Sequence, residues 1–287
     1  MQLLFSQLLL GLINGSFYAV LSLGLAVIFG MLNVINFAHG AQFMIGAFVA
    51  WIALTQFGVN YWEALVLAPL VVGALSALIE VSMLRRLYKL DHLYGLLLTF
   101  GLALIAEGVF RNFYGVSGES YDVPDQLAGG VNLGFMFLPL YRGWVVVAAL
   151  GMCLAVWFAI ERTRLGATLR AATQRPDLVQ SLGINVPLLM TATYAAGAAL
   201  AAFAGVLAAP VMQVNPLMGS HLIIVVFAVV VIGGMGSILG SIVTGVGLGL
   251  VEALTKVYYP QASGVVIFLI MVIVLLVRPA GLFGRQA

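Results

Sequence analysis

Ionisable side chains are scarce in this sequence, and those set into apolar runs are spaced to meet. Glu107 and Arg111 lie four residues apart, as do Glu252 and Lys256. On a helix that spacing puts both members on one face, where they pair. Glu80 stands one turn before Arg85 and Arg86, and His39 and His221 fall at expected helix starts. Pairing and capping are the roles this predicts. A proton relay across a membrane needs a chain of buried ionisable groups, but Glu107 and Glu252 sit near the ends of their runs. Hydrolytic chemistry is not spelled out either. A phosphate-binding loop needs a Gly-rich turn ending in Gly-Lys-Ser/Thr, yet Lys89 and Lys256 follow Tyr88 and Thr255. No His-Glu-x-x-His occurs, and the Gly-x-Ser stretches lack triad partners. Cys153 lies in an apolar run and reads as a small buried hydrophobe. The expectation is a chain with no catalytic, metal or cofactor site of its own.

The remaining polar residues gather at two breaks in apolar sequence. One runs from Asn33 to Gln42 and includes Asn36, His39 and Gly40; the other is Gly233-Gly234-Met235-Gly236-Ser237. Together with Asn14 and Ser16 upstream, these supply the candidates for a solute pathway: Asn14, Ser16, Asn33, Asn36, His39, Gly40, Gly234, Gly236 and Ser237. Gly-interrupted segments in corresponding places of two halves predict an internal pseudo-repeat with a pathway between the halves. Tight turns between helices explain the same residues equally well.

These residues must be positioned by membrane helices. Of 287 residues, 63% are hydrophobic and 8% charged, with a mean hydropathy of +1.15. A soluble domain carries about 25% charged residues. A spanning helix takes roughly 20 apolar residues, and nine runs qualify or nearly so: Leu8–Gly30, Asn36–Gln56, Trp62–Leu84, Leu93–Phe113, Gly143–Ile160, Leu188–Met212, Leu222–Gly236, Ser237–Val257 and Gly264–Val277. The seventh is short for a crossing. The fold class expected is therefore all-α, a polytopic bundle of eight or nine membrane segments forming a single domain over 1–287. Glycines four apart, Gly11/Gly15, Gly236/Gly240 and Gly245/Gly249, let neighbouring helices approach closely, and Ala195–Ala209 has little bulk on any face. The net charge of +2 gives no reason to expect a nucleic-acid partner. The start, Met1-Gln2-Leu3-Leu4, has no basic region and predicts no cleaved signal peptide.

Lys and Arg flanking the helices favour the cytoplasmic side. With nine crossings, Arg85, Arg86 and Lys89, then Arg162, Arg164, Arg170 and Arg175, then Arg278 and Arg285 all share one side. They are nine of the twelve basic residues. The opposite loop, about 114–142, holds Glu119, Asp122 and Asp125. The cytoplasmic loop at about 161–187 carries an apolar stripe, Leu165, Leu169 and Ala172, and then a second short helix from Pro176 to Leu182. Proline suits a first helical position, Asp177 the positive end of the dipole and Gly183 the stop. A basic amphipathic hairpin results. A docking element for another protein, a membrane-surface helix and a solvated connector are all compatible with it.

At this point the sequence resembles the permease subunits of branched-chain amino-acid ABC importers, the LivH-type family. The resemblance runs nearly end to end. It rests on Gly11-Leu12-Ile13-Asn14-Gly15-Ser16-Phe17-Tyr18-Ala19, on Asn36-Phe37-Ala38-His39-Gly40, and on the Arg164, Gly166, Arg170, Ala171 pattern. Leu182-Gly183-Ile184-Asn185, Gly233-Gly234-Met235-Gly236-Ser237 and the tail Arg278-Pro279-Ala280-Gly281-Leu282-Phe283-Gly284 complete it. Gln174-Arg175-Pro176-Asp177 departs from the Gln-Asp or Glu-Asn usual at that turn, so the resemblance fixes the loop's role better than its individual contacts. It implies a homologous second permease, two cytoplasmic ATPases that hold the ATP and Mg, an outer solute-binding protein, and a bacterial inner-membrane location. Arg164, Gly166, Arg170, Ala171, Asp177 and Gly183 would then couple the chain to an ATPase. A permease of the same family for urea, an amide, an aromatic acid or a sugar shares the architecture. An ion-coupled secondary transporter is the less favoured alternative, since it would want a carboxylate in mid-membrane.

Overall fold

The computed structural model describes residues 2–32, 34–88, 90–134 and 136–284; Asn33, Lys89 and Arg285 lie outside them. Each expected apolar run is a helix. They are α1 (Gln2–Leu32), α2 (Ala38–Phe57), α3 (Tyr61–Ser82), α4 (His92–Tyr114), α5 (Leu140–Arg162), α8 (Val186–Ala208), α9 (Met218–Gly233), α10 (Ile238–Tyr258) and α11 (Val266–Val277). The loop between α5 and α8 folds into α6 (Arg164–Gln174) and α7 (Pro176–Ser181). Seven of these helices are long and apolar enough to cross a membrane, and α9 and α11 are shorter apolar helices. At about 1.5 Å per residue the short pair covers roughly 24 and 18 Å.

Local sequence starts and stops the helices. Asn60 accepts from the Glu63 amide at 3.0 Å while the Glu63 carboxylate accepts from the Asn60 amide at 3.2 Å, a reciprocal cap on α3. Asp91, Asn185 and Ser237 cap α4, α8 and α10 through their side-chain oxygens. Gly58, at φ +66°, closes α2 in a conformation that favours glycine.

Helix α1 is the axis of the molecule. From Ile13 to Ile28 all but Asn14 are buried, against α10, α8, α5 and α9. Small residues set the spacing. A Cβ on Gly249 would lie 2.4 Å from the Gly15 Cα, and one on Gly46 would lie 2.4 Å from the Ala202 Cα. Lipid tails are as apolar as leucine, so helix association here depends on such close contact. Leu78, Phe113, Leu276 and many other large apolar side chains are exposed on the outside, as lipid contact requires.

The expected internal repeat is present, organised differently from the expectation. Helix α1 packs on α10 as α8 packs on α3, α1 meets α9 as α8 meets α2, and α2 meets α4 as α9 meets α11. Helices α1 and α8 run antiparallel, with Gly24 against Gly197 and Ile28 beside Tyr194. The halves are therefore α1–α4 and α8–α11 in inverted orientation. The two Gly-rich breaks are not counterparts of each other. Both lie at the same end, where the last turns of α1 meet the second break, a Cβ on Gly30 falling 3.0 Å from the Gly236 Cα.

That end is the basic one. Arg85 donates to the Pro187 carbonyl, and the tail folds under α9, with the Leu282 amide 2.8 Å from the Ile232 carbonyl. The opposite end carries an element absent from the all-α expectation. Strands β1 (Gly130–Asn132) and β2 (Phe137–Pro139) pair antiparallel, and Glu119 exchanges backbone hydrogen bonds with Val214 at 2.8 and 2.9 Å. Beneath them the Tyr141 hydroxyl donates to the Leu207 carbonyl at 3.0 Å, and the Trp144 ring N–H donates to Tyr61.

Candidate translocation and coupling sites

The hairpin α6–α7 is built rigidly onto the end of α5. A Cβ on Gly166 would lie 1.6 Å from the Ile160 carbonyl oxygen, so only glycine lets α6 turn back this tightly. Arg170 donates to that same carbonyl at 3.0 Å and stands 3.5 Å from Glu161, which satisfies an orphan acceptor in the last turn of α5. Ala172, Val179 and Val186 pack together and tie α6, α7 and α8 into one unit. Gly183, at φ +85°, makes the exit turn.

Of the expected apolar stripe, Ala172 is buried and Leu169 half-buried. Leu165 is exposed, and with Leu169 it lines an apolar cleft of about 630 Å³ between α3, α5 and α8. Arg164, Ala171 and Asp177 face outward, as do Leu178, Leu182 and Ile184. Sequence reasoning did not choose these last three as coupling residues, although Leu182 and Ile184 lie in a motif that carries the resemblance; the four-residue spacing of Leu178 and Leu182 in a polar loop is the signal that points to them.

The pathway candidates divide by environment. Asn36 is buried, its side-chain oxygen accepting from the Ala38 amide at 3.1 Å and its nitrogen donating to Gln42 at 3.2 Å. Gln42 continues the chain to Ser76. The His39 Nε2 lies 2.9 Å from the Leu21 carbonyl. A carbonyl only accepts, so Nε2 carries the proton, and Nδ1 has no partner. Ser16 donates to its own helix at Leu12, while Asn14 is exposed on the surface of α1. Gly40 meets Gly219 where α2 crosses α9. Gly234 (φ +99°) packs on the tail at Gly284, Gly236 (φ +83°) packs on Gly30, and Ser237 caps α10. Asn33 lies outside the described residues.

Carboxylates hold the seams between helices. Glu80 is fully buried and accepts from Arg85 (2.9 and 3.2 Å), the Tyr88 hydroxyl (3.0 Å) and the Thr191 hydroxyl (2.6 Å). The hydrogen bonds that Arg85 donates to Glu80 hold its guanidinium above the usual arginine value, keeping it charged. Burial first, then the Glu80 charge, pushes the Tyr88 phenol up. At the other end Glu252 accepts from Tyr18 at 2.9 Å and from Lys256 at 2.6 Å. Glu107 accepts from Arg111 at 3.3 Å and from Ser220 at 2.6 Å, so the pairing expected within α4 also reaches α9.

A bundle of apolar helices with buried polar joints, an inverted repeat and a rigid external hairpin is the architecture of a membrane permease. Residues 7–275 match the model of the branched-chain amino acid transport system permease component, and the chain belongs to that family. It is 34% identical to the high-affinity branched-chain amino acid transport system permease protein BraD of Pseudomonas aeruginosa, over 97% of this chain and 95% of the relative. It is 31% identical to LivH of Escherichia coli K12 over the same shares. It is 27% identical to LivM of Salmonella typhimurium, over 92% of this chain and 67% of that protein. No solved structure matches.

Proposed function

We propose that this chain is one permease of an ATP-driven importer for branched-chain or related amino acids. It forms the pathway with a homologous second permease, and the likeness to both LivH and LivM proteins supports such a pair. Two cytoplasmic ATPases hold the ATP and Mg, an outer solute-binding protein delivers the amino acid, and the assembly sits in the inner membrane of a bacterial cell. The basic end is cytoplasmic by its arginines.

The observation that carries this reading is the α6–α7 hairpin. It is fixed to α5 by Gly166 and Arg170 and offers exposed Leu178 and Leu182, with Arg164 and Arg175 outward, to a partner. Exposed leucines at the cytoplasmic surface are covered by protein, and a rigid attachment transmits displacement. ATP binding closes the ATPases and moves the hairpin; the inverted halves rock, and the pathway opens outward. This requires that ATP favour one state over the other. The pathway candidates at the α1–α2 and α9–α10 joints would rearrange during the rocking.

Purification of the chain from native membranes tests this. An ATPase and a second permease copurify, and reconstitution with the binding protein gives uptake only with ATP. Uptake by this chain alone, driven by an ion gradient without nucleotide, overturns it.

A further inference from the structure

A cavity of about 340 Å³ lies between α2, α4 and α9, within the range of small-molecule sites. Its walls are Met44, Ala103, Leu104 and Ile223, with Gly40 and Gly219 where α2 and α9 touch. Phe37 lies toward the basic end, edge-on to Phe100 and stacked on Phe227 with ring centroids 6.1 Å apart in each case. Polarity is concentrated at the other end, where Glu107 and Ser220 line the cavity. Glu107 sits seven residues before the outer end of α4, about 10 Å below it. Its side chain is 17% exposed, and Arg111 beside it is 50% exposed.

We propose that this cavity receives the amino acid during passage, with Glu107 taking the α-ammonium, Arg111 the α-carboxylate, and the apolar chamber the aliphatic side chain. This rests on the import reading above and gives it a location. A carboxylate has room for about four hydrogen bonds, and Glu107 uses two, one on each oxygen. An adjacent anion and cation match a zwitterion without adding net charge to the membrane interior. The lining below them holds no further charged residue and suits a branched aliphatic chain. A lipid tail in the same space would leave the free acceptor positions of Glu107 unused. Gly40, expected on the pathway from sequence, lies on the wall.

The test uses the assembled importer in proteoliposomes. Ala103→Cys places a thiol in the cavity wall, and the native Cys153 is buried and gives little background. Saturating leucine slows maleimide labelling of this thiol. Adding Glu107→Gln, or separately Ser220→Ala, weakens that protection, with a loss of leucine affinity of about tenfold for Glu107→Gln. Ala103→Phe, which fills the chamber, lowers the maximal uptake of leucine relative to alanine. Labelling that ignores leucine overturns the proposal, as does protection that survives Glu107→Gln or an unchanged leucine-to-alanine ratio. Absence of ATP-driven uptake by the unmodified assembly overturns the import reading instead.

Discussion

Glu80 and Glu252 are counterparts in the two halves of the bundle, and each accepts a hydrogen bond from the first helix of the opposite half. Thr191 on α8 donates to Glu80 at 2.6 Å, and Tyr18 on α1 donates to Glu252 at 2.9 Å. Each carboxylate stands about two turns beyond a glycine, Gly73 or Gly245, that packs on the same facing helix. Each has a cation within about the next turn and a half, Arg85 or Lys256. Because the repeat is inverted, one joint fastens the basic end and the other fastens the outer end.

The two joints differ in burial, which predicts unequal costs. Glu80 is fully buried, whereas Glu252 is 14% exposed beside a 41% exposed Lys256. Glu80→Ala removes the acceptor shared by Arg85, Tyr88 and Thr191, of which Arg85 and Thr191 keep the Pro187 carbonyl, and costs about 2–3 kcal/mol, discounted because Arg85 reaches solvent. Glu252→Ala costs about 1 kcal/mol. Thermal unfolding in detergent ranks the two; equal or reversed losses refute the assignment.

Close helix contacts predict a split among glycines. Gly249→Val places a branched side chain against the Gly15 backbone and costs about 1–3 kcal/mol or more. Gly151→Ala meets nothing within 4 Å and leaves the unfolding temperature unchanged or slightly raised. The same melting assay distinguishes them.

Gly166→Ala forces α6 off the end of α5, and Arg170→Glu removes the donor to Ile160. Both variants leave the bundle folded and uncouple ATP hydrolysis from uptake. Parallel measurement of phosphate release and leucine uptake reads the ratio, which falls by an order of magnitude or more if the hairpin loses its rigid attachment. Normal uptake by either variant contradicts its role.

Leu178→Glu and Leu182→Glu change exposed positions and alter thermal stability by no more than about 0.5 kcal/mol. The ATPase nevertheless fails to copurify with either variant. Retention of a full complement of ATPase places the docking surface elsewhere.

Hydropathy is local, and so the nine apolar helices and the α6–α7 hairpin were legible in the sequence. Pro176, Asp177 and Gly183 mark the start and stop of α7 within one residue of the observed helix. Pairings across the chain were not legible. Tyr18 meets Glu252 and Thr191 meets Glu80 only because the halves invert, and nothing in the spacing of either carboxylate names its donor. The same inversion explains why two similar-looking breaks, near Asn36 and near Gly236, are neighbours and not counterparts. Arg170 was expected from the sequence to face an ATPase, but its turn back to Ile160 depends on how closely Gly166 lets α6 approach α5.

The enclosure of α1 has a consequence for biogenesis. This helix is made before α8 and α10, which supply its coat and whose synthesis ends roughly 10–50 s later at about 5–20 residues per second. Until then Gly11, Gly15 and Gly24 face lipid or the insertion machinery, and the nascent helix must dwell there as a stable solitary span. Its freedom from charged residues suits that wait, and final docking becomes an event that follows the emergence of α10.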